Sequence, residues 1–317
     1  MLMTDCRVLL VGGSGFLGTQ LTSRLEAEGW EVGILDRTPP QENSLGCTVF
    51  TGELRDMDLV RRAISSFPRI IYLAHETQTA PAADVRSDHF LRNMETFLGV
   101  LDQAVRVGVQ DFVLFSSGGA VYGEALLLPV SEEHPKNPVS PYGLVKLTME
   151  KYLAMTSHLQ GFRHLCIRPS NPYGPGQNFE GAQGLASVAM AKIARGETIT
   201  IFGDGSTLKD FLFVDDLSAA VGTLLAHPNV NGCFNVGSGI GVSVLELIRE
   251  IESVVGVPAC LEYRAPAASD VARNVLDITK IREATGWVPT TDREEGLVRL
   301  WEWMRPRLKP ARDAANH

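Results

Sequence analysis

The chain has 317 residues, 44% hydrophobic and 21% charged, with a formal net charge of -8. Its length and apolar content exclude a small disordered protein and allow one large core or two unequal lobes around a cleft. Acidic charge spread along the chain argues against non-specific attraction to nucleic acid or an anionic membrane, so an anionic ligand needs locally placed basic groups.

The first residues pass from Asp5-Cys6-Arg7 straight into a strand-like run, with no separate apolar region and cleavage site. No apolar run is long enough to cross a bilayer, and a cytoplasmic protein is expected. The strand Arg7–Val11 feeds the turn Gly12-Gly13-Ser14-Gly15-Phe16-Leu17-Gly18, which opens a helix over Phe16–Glu28 with Leu17, Leu21 and Leu25 on one face. Strand, glycine turn and helix N-terminus together form the context of a pyrophosphate cradle: glycine admits the phosphates, and unpaired N–H groups meet them. The next strand, Glu31–Asp36, ends on a carboxylate placed to meet adenosine ribose hydroxyls, which favours NAD and repels the extra phosphate of NADP. Arg37 beside Asp36 weakens that preference.

Further strands are expected at Cys47–Thr51, Arg69–Ala74, Asp111–Ser116 and His164–Arg168, with an amphipathic helix over Ser87–Val107. This alternation predicts an α/β fold: a doubly wound parallel Rossmann sheet covered on both faces. After Arg168 the sequence turns to a Pro-, Gly- and Asn-rich stretch, Pro169 to Gly176, before a helix near Gly184–Ala194. We place the lobe boundary there. Residues 1–170 are expected to form the NAD-binding domain and 171–310 mainly a smaller, interleaved substrate-binding lobe, with segments near 208–240 rejoining the first domain and 311–317 a flexible tail. Within the second lobe, strands are expected at Thr198–Phe202, Phe211–Val214 and Cys233–Val236, and helices at Asp216–Leu225 and Val242–Val255. The five cysteines stand far apart without Cys-x-x-Cys or His-rich spacing, so they read as structural thiols and no metal is expected.

Ser140-Pro141-Tyr142-Gly143-Leu144-Val145-Lys146 begins a helix, and the spacing of four sets Tyr142 and Lys146 on one face. An ammonium close by lowers a phenol's pKa, and a tyrosinate near a nicotinamide can exchange a proton with an alcohol whose carbon exchanges hydride. Tyr-x-x-x-Lys alone is common by chance; with the glycine turn and Asp36 it reads as a catalytic pair.

At this point the sequence resembles the extended short-chain dehydrogenase/reductase family and, within it, the NAD-dependent epimerase/dehydratase group containing the UDP-sugar 4-epimerases. The resemblance spans almost the whole chain. Its carriers are Gly12-x-x-Gly15-x-x-Gly18, Asp36, Gly52 to Asp56, Tyr72-Leu73-Ala74-His75, Asn93, Ser116 to Gly123, Tyr142-x-x-x-Lys146, Arg168 to Pro175, Phe202 to Gly205 and Lys209 to Asp216. It implies Phe16 and Leu17 at the pyrophosphate, Glu53 and Leu54 at the adenine, Leu73 and Ala74 along the dinucleotide, Asn93 in the cofactor region and Ser170 at the nicotinamide. It further implies a nucleotide-diphosphate sugar on Asn171 and Phe202. A homodimer is expected from the Ser87–Val107 helix and the Tyr142 helix packed as a four-helix bundle across a two-fold axis, since Leu144, Leu147 and Met155 point away from the Tyr142–Lys146 face.

Three departures from the family pattern matter. Gly118 stands where the family has a catalytic Ser or Thr, with hydroxyls at Ser116 and Ser117. The third catalytic group is then Ser117, a water beside Gly118, or none, and strand alternation, which turns Ser117 away from Gly118's side, favours Tyr142 acting directly. Lys209 replaces an Arg often used for the diphosphate, and an Arg-Pro-x-Asp pattern reads here as Ala267 before Asp270, leaving Arg264 or Arg273 as substitutes. Gly119 and Ala120 occupy the places of the Asp-Glu pair that related dehydratases use, and decarboxylases too need a carboxylate there. What remains is 4-epimerisation or 4-keto reduction, with epimerisation favoured because Asp36 disfavours NADPH. A sensor or scaffold that only binds NAD is the alternative from another class, and the intact Tyr142 and Lys146 argue against it.

Overall fold

The computed structural model describes residues 5–40, 46–76, 87–181, 183–265 and 271–308. The elements run β1 (Arg7–Val11), α1 (Phe16–Ala27), β2 (Glu31–Asp36), β3 (Thr48–Thr51), α2 (Met57–Ile64), β4 (Arg69–Tyr72), α3 (Ser87–Arg106), β5 (Asp111–Phe115), α4 (Pro141–Gln160), β6 (Arg163–Pro169) and β7 (Asn171–Tyr173). There follow α5 (Leu185–Arg195), β8 (Thr198–Phe202), β9 (Leu208–Phe213), α6 (Val214–Ala226), β10 (Gly232–Val236), β11 (Gly241–Ser243), α7 (Val244–Val255), β12 (Cys260–Arg264), β13 (Arg273–Asn274), α8 (Thr279–Thr285) and α9 (Arg293–Met304).

Seven strands form one parallel sheet in the order β10-β6-β5-β4-β1-β2-β3. Alternation along β1 shows why it must lie at the centre. Val8 and Leu10 enter a cluster with Leu21 and Leu25 of α1 and Leu217, Val221 and Leu224 of α6, whereas Leu9 and Val11 face Phe97 and Leu101 of α3 and Val145 and Met149 of α4. A strand apolar on both faces is stable only between two helical layers. Full burial of each such side chain contributes roughly 1.5–3 kcal/mol. The doubly wound α/β fold expected from the sequence is the one observed.

The later elements divide between two places. Strand β10 pairs with β6 at the sheet edge, and α6 packs on α1. By contrast, β9 lies in a small sheet with β7, β11 and β13, and β8 pairs with β12. A third cluster, including Met190 and Ile193 of α5, Leu247 and Ile251 of α7 and Leu297 and Leu300 of α9, fills this smaller region.

Helix ends are fixed by local chemistry. Ser140 caps α4 by accepting from Gly143 N at 3.1 Å, with Pro141 in the first turn, so the chain enters the helix one residue before Tyr142. The connection after β1 has special backbone: Gly12 has φ +82°, and a Cβ there would lie 2.7 Å from Ala74 N and Cα. Only glycine allows the chains after β1 and β4 to approach that closely.

Candidate active site

The order 3-2-1-4 in the parallel sheet reverses direction between β1 and β4, and clefts in such sheets open outside the carboxyl ends of the strands at that switch point. Two cavities of about 750 Å³ each meet there and share Gly12, Gly15, Leu73 and His75 in their walls.

One cavity is walled by Asp36 and Arg37 at the end of β2, Glu53 and Leu54 after β3, Ala74 after β4, and Asn93 on α3. Asp36 accepts from Ser14 N at 3.0 Å and from Thr38 N at 3.3 Å, so its carboxylate ties the glycine turn to the end of β2. Buried Asn93 accepts from Glu76 N at 3.0 Å and donates to His89 O at 2.9 Å. Its amide is thus engaged in holding backbone.

The second cavity is walled by Phe16, Leu17 and Gly18 at the start of α1, Ser117 after β5, Tyr142 and Lys146 on α4, Ser170 and Asn171 after β6, and Lys209 on β9. No Asp or Glu is among its lining residues. Lys146 is buried, donates to Phe115 O at 2.8 Å and lies 5.8 Å from the Tyr142 ring centroid. Burial pulls this ammonium down to about 8. Tyr142 keeps 38% of its surface open to the cleft, yet the crowded protein around its hydroxyl raises the phenol above its ordinary value, opposed by a hydrogen bond with Ser117. The lowered phenol expected from Tyr-x-x-x-Lys spacing is therefore not found: desolvation of the phenolate is the leading effect on Tyr142.

Ser117 also departs from the alternation argument. Strand β5 ends at Phe115, so residues 116 and 117 no longer follow the pleat, and Ser117 lines the same cavity as Tyr142. The space beside Gly118 is filled: a Cβ there would lie 2.5 Å from Leu276 Cδ1 and 3.0 Å from the carbonyls of Arg168 and Pro169. Gly118 N donates to Pro169 O at 2.8 Å, and its carbonyl accepts from Asn274 Nδ2 at 3.0 Å. The place of the missing side chain is taken by its neighbours, and glycine is what this packing demands.

Below this floor lies a buried polar network that the sequence does not disclose. Glu150, two turns beyond Tyr142 on α4, takes Arg168 through two hydrogen bonds of 2.9 and 2.6 Å and accepts from Ser116 Oγ. Arg168 also donates to Tyr122 at 2.8 Å, whose hydroxyl reaches Asn235 at 2.6 Å. Their residues lie up to 119 positions apart in the sequence, between Ser116 and Asn235. Periodicity finds no such partnership.

Not every expected residue reaches the cleft. Phe202 is 50% exposed, and neither it nor Arg273, which pairs with Leu208 on β9, is among the lining residues. Arg264 forms an exposed pair with Glu262 at 2.9 Å. Asp270 lies outside the described residues. Lys209 does line the cleft, and its Nζ donates to Val271 O at 3.1 Å. His75 and His89 also line it, and neither was distinguished by spacing. Among the described residues no group of three His, Cys, Asp or Glu could hold a metal ion, and no helix is long and apolar enough to cross a membrane.

A doubly wound sheet with a glycine turn, a carboxylate closing the second strand and a Tyr-Lys pair on one wall of the cleft defines a dinucleotide-dependent oxidoreductase-type site. The comparisons make this specific. The model of the NAD dependent epimerase/dehydratase family matches residues 8–237, and the chain belongs to that family as an NAD-dependent enzyme of the extended short-chain dehydrogenase/reductase type. It is 33% identical over 308 residues to a putative UDP-glucose 4-epimerase of Methanocaldococcus jannaschii, covering 94% of this chain and 98% of that protein. Its fold is similar to the UDP-glucose 4-epimerase of Thermotoga maritima with UDP-glucose, with a TM-score of 0.88 and 30% identity over 96% of this chain and 100% of that one. The UDP-glucose 4-epimerase of Thermus thermophilus in complex with NAD gives 0.86 and 29% over 94% and 99%.

Proposed function

We propose that the protein interconverts UDP-hexoses at C4, with Tyr142 as the acid/base. The observation that carries this is the placing of Ser117, Tyr142 and Lys146 in one cleft wall whose described lining residues include no carboxylate: that wall offers a proton-transfer pair and no acid/base pair for expelling water.

The residues fit NAD. The Gly12 cradle excludes any side chain, Asp36 closes β2 beside the cavity, and Ser170 Oγ is a buried hydroxyl with no partner where a nicotinamide amide would be received. Gly12, Gly15, Phe16, Leu17 and Gly18 take the pyrophosphate, Asp36 and Arg37 the adenosine ribose, and Glu53 and Leu54 the adenine. Bound NAD supplies a hydride acceptor that becomes the donor on return. Tyr142, as phenolate, receives the C4 hydroxyl proton, Ser117 holds the same oxygen through its hydroxyl, and Tyr142 returns the proton after the sugar presents its other face. Lys146 favours the phenolate electrostatically and is itself anchored by the Phe115 carbonyl. Asn171 and Lys209 receive the nucleotide diphosphate; Lys209 acts as a point charge without the fork of Arg.

Reduction of a 4-keto sugar is the second reading. It uses the same pair but consumes a reduced cofactor at every turnover, and Asp36 stands against the phosphate of NADPH. Strict dependence of turnover on added NADPH selects the reductase; interconversion without added reductant selects the epimerase.

We infer a homodimer through α3 and α4. Leu144, Tyr152, Met155 and Leu159 form an exposed apolar line on α4, 37–68% accessible, and α3, which packs against it, exposes Leu91 at 60%. Paired across a two-fold axis, such helices bury one another's apolar faces. Light scattering at micromolar concentration should give twice the 34.5 kDa chain mass; a monomer refutes the interface.

A further inference from the structure

Beside Tyr142 lie two imidazoles with no part in the mechanism above. His75 follows β4 and lines both cavities; His89 lies on α3, is 4% exposed and lines the Tyr142 cavity. The rings form an edge-to-face series, His89 to His75 at 5.2 Å between centroids and His75 to Tyr142 at 4.8 Å. His89 Nε2 lies 2.6 Å from Glu76 O, and since a carbonyl only accepts, Nε2 carries the proton and Nδ1 is a lone pair. That Nδ1 is buried without a partner, and so is Nδ1 of His75. Two unsatisfied buried ring nitrogens side by side are costly, and such groups call for an explanation beyond packing.

We propose that His75, positioned by His89, is a neutral hydrogen-bonding group for a sugar hydroxyl, carried by the hexose or by the nicotinamide ribose, at the junction of the two cavities. The proposal rests on the reading of the cleft as a site for NAD and a nucleotide sugar. Burial, Lys146 and His89 together push His75 down to about 3, so its ring stays neutral at working pH and offers one donor and one acceptor. That combination suits a hydroxyl, which both gives and takes a hydrogen bond. It suits an anion poorly, since protonating His75 beside Lys146 is opposed by like charge. The fixed Nε2–H of His89 holds that ring against Glu76, leaving His75 as the member of the pair open to the junction.

The test uses the enzyme as purified with its bound cofactor. His75→Phe keeps the ring and its edge-to-face packing but removes both nitrogens; His75→Asn restores hydrogen bonding without the ring. If the hexose is the partner, His75→Phe raises KM for UDP-glucose roughly 3- to 10-fold with little change in kcat or in retained NAD. If the ribose is the partner, retained NAD falls and KM at saturating NAD is unchanged. In either case His75→Asn recovers part of the loss. Wild-type KM and NAD retention in His75→Phe overturn the proposal, as does an equal loss in both variants. A second readout is independent of turnover: in Tyr142→Phe protein, ¹⁵N resonances of the His75 ring shift when NAD or UDP-glucose is added, and no shift with either ligand overturns it. A wild-type enzyme that binds UDP-glucose without epimerising it refutes the functional reading alone, since the resonance shift still answers for His75.

Discussion

The two cavities differ in what builds them. The one holding Asp36 centres on two consecutive pieces, the glycine turn after β1 and the end of β2, whose carboxylate accepts from Ser14 and Thr38, and Glu53, Ala74 and Asn93 complete it from beyond β3, β4 and on α3. The one holding Tyr142 gathers Ser117, Tyr142, Ser170 and Lys209, from four separated segments, around chemistry that depends on small differences in burial. Binding geometry can be written locally in a sequence, whereas reactivity is assembled over distance.

The sharpest break in this comparison comes at Tyr142. Tyr142→Phe removes the proton-transfer group and should lower turnover roughly 10²- to 10⁴-fold while NAD content after purification stays that of the wild type; a parallel loss of NAD would show that the two cavities are not separable. Ser117→Ala should cost about 10²- to 10³-fold in kcat, because its hydroxyl shares the cleft wall with Tyr142 and is proposed to hold the reacting oxygen. A loss below tenfold would mean that Tyr142 acts alone. At the other cavity, Asp36→Ala removes acceptors for charged hydrogen bonds worth roughly 1.5–3 kcal/mol and should weaken NAD about 10- to 100-fold, narrowing discrimination against NADP, with kcat at saturating NAD nearly unchanged. Isothermal titration with both dinucleotides reads this directly.

The remaining expected effect is on acid stability and leaves turnover aside. His75 has a folded pKa of about 3 against an ordinary 6.5. Between these values the unfolded chain binds the proton and the native one does not, so stability is full above about 6.5 and declines as pH falls toward 3. Lys146, His89 and Tyr142 are the titratable groups facing it. In His75→Phe this component is gone, and the loss of stability between pH 6 and 4 should be shallower by urea unfolding. An identical pH dependence in both proteins would place His75 in a wetter setting.

Legibility follows the same division. The central strands, the glycine turn and α1 are plain in the sequence because a strand buried on both faces is continuously apolar and a helix repeats every 3.6 residues. Strand Arg69–Ala74 stops at Tyr72 because the N–H groups of Leu73 and Ala74 both turn to Val11 O. Helix α2 spans eight residues, just over two turns, is begun by the Asp56 cap on Asp58 N and Leu59 N, and buries Leu59, Val60, Ala63 and Ile64, a one-faced spacing that is legible in the sequence. The pairings of β7, β11 and β13 with β9 join segments of two to six residues, and sequence patterns carry no record of such partners. In the Tyr142 cavity, residue types were legible and environments were not. Tyr142 and Lys146 follow from spacing, but the presence of Ser117 in the Tyr142 cavity depends on where β5 ends, and the fit of Gly118 depends on Leu276, 158 positions away in the sequence. The raised phenol and depressed Lys146 depend on burial alone.

The most direct test of the central claim is proton NMR of UDP-glucose incubated with the purified enzyme, with no reductant and no cofactor added. The anomeric signal of UDP-galactose should grow to a fixed equilibrium ratio while no free NADH accumulates. A spectrum unchanged for UDP-glucose and for its N-acetyl counterpart, from protein shown to retain NAD, would contradict it.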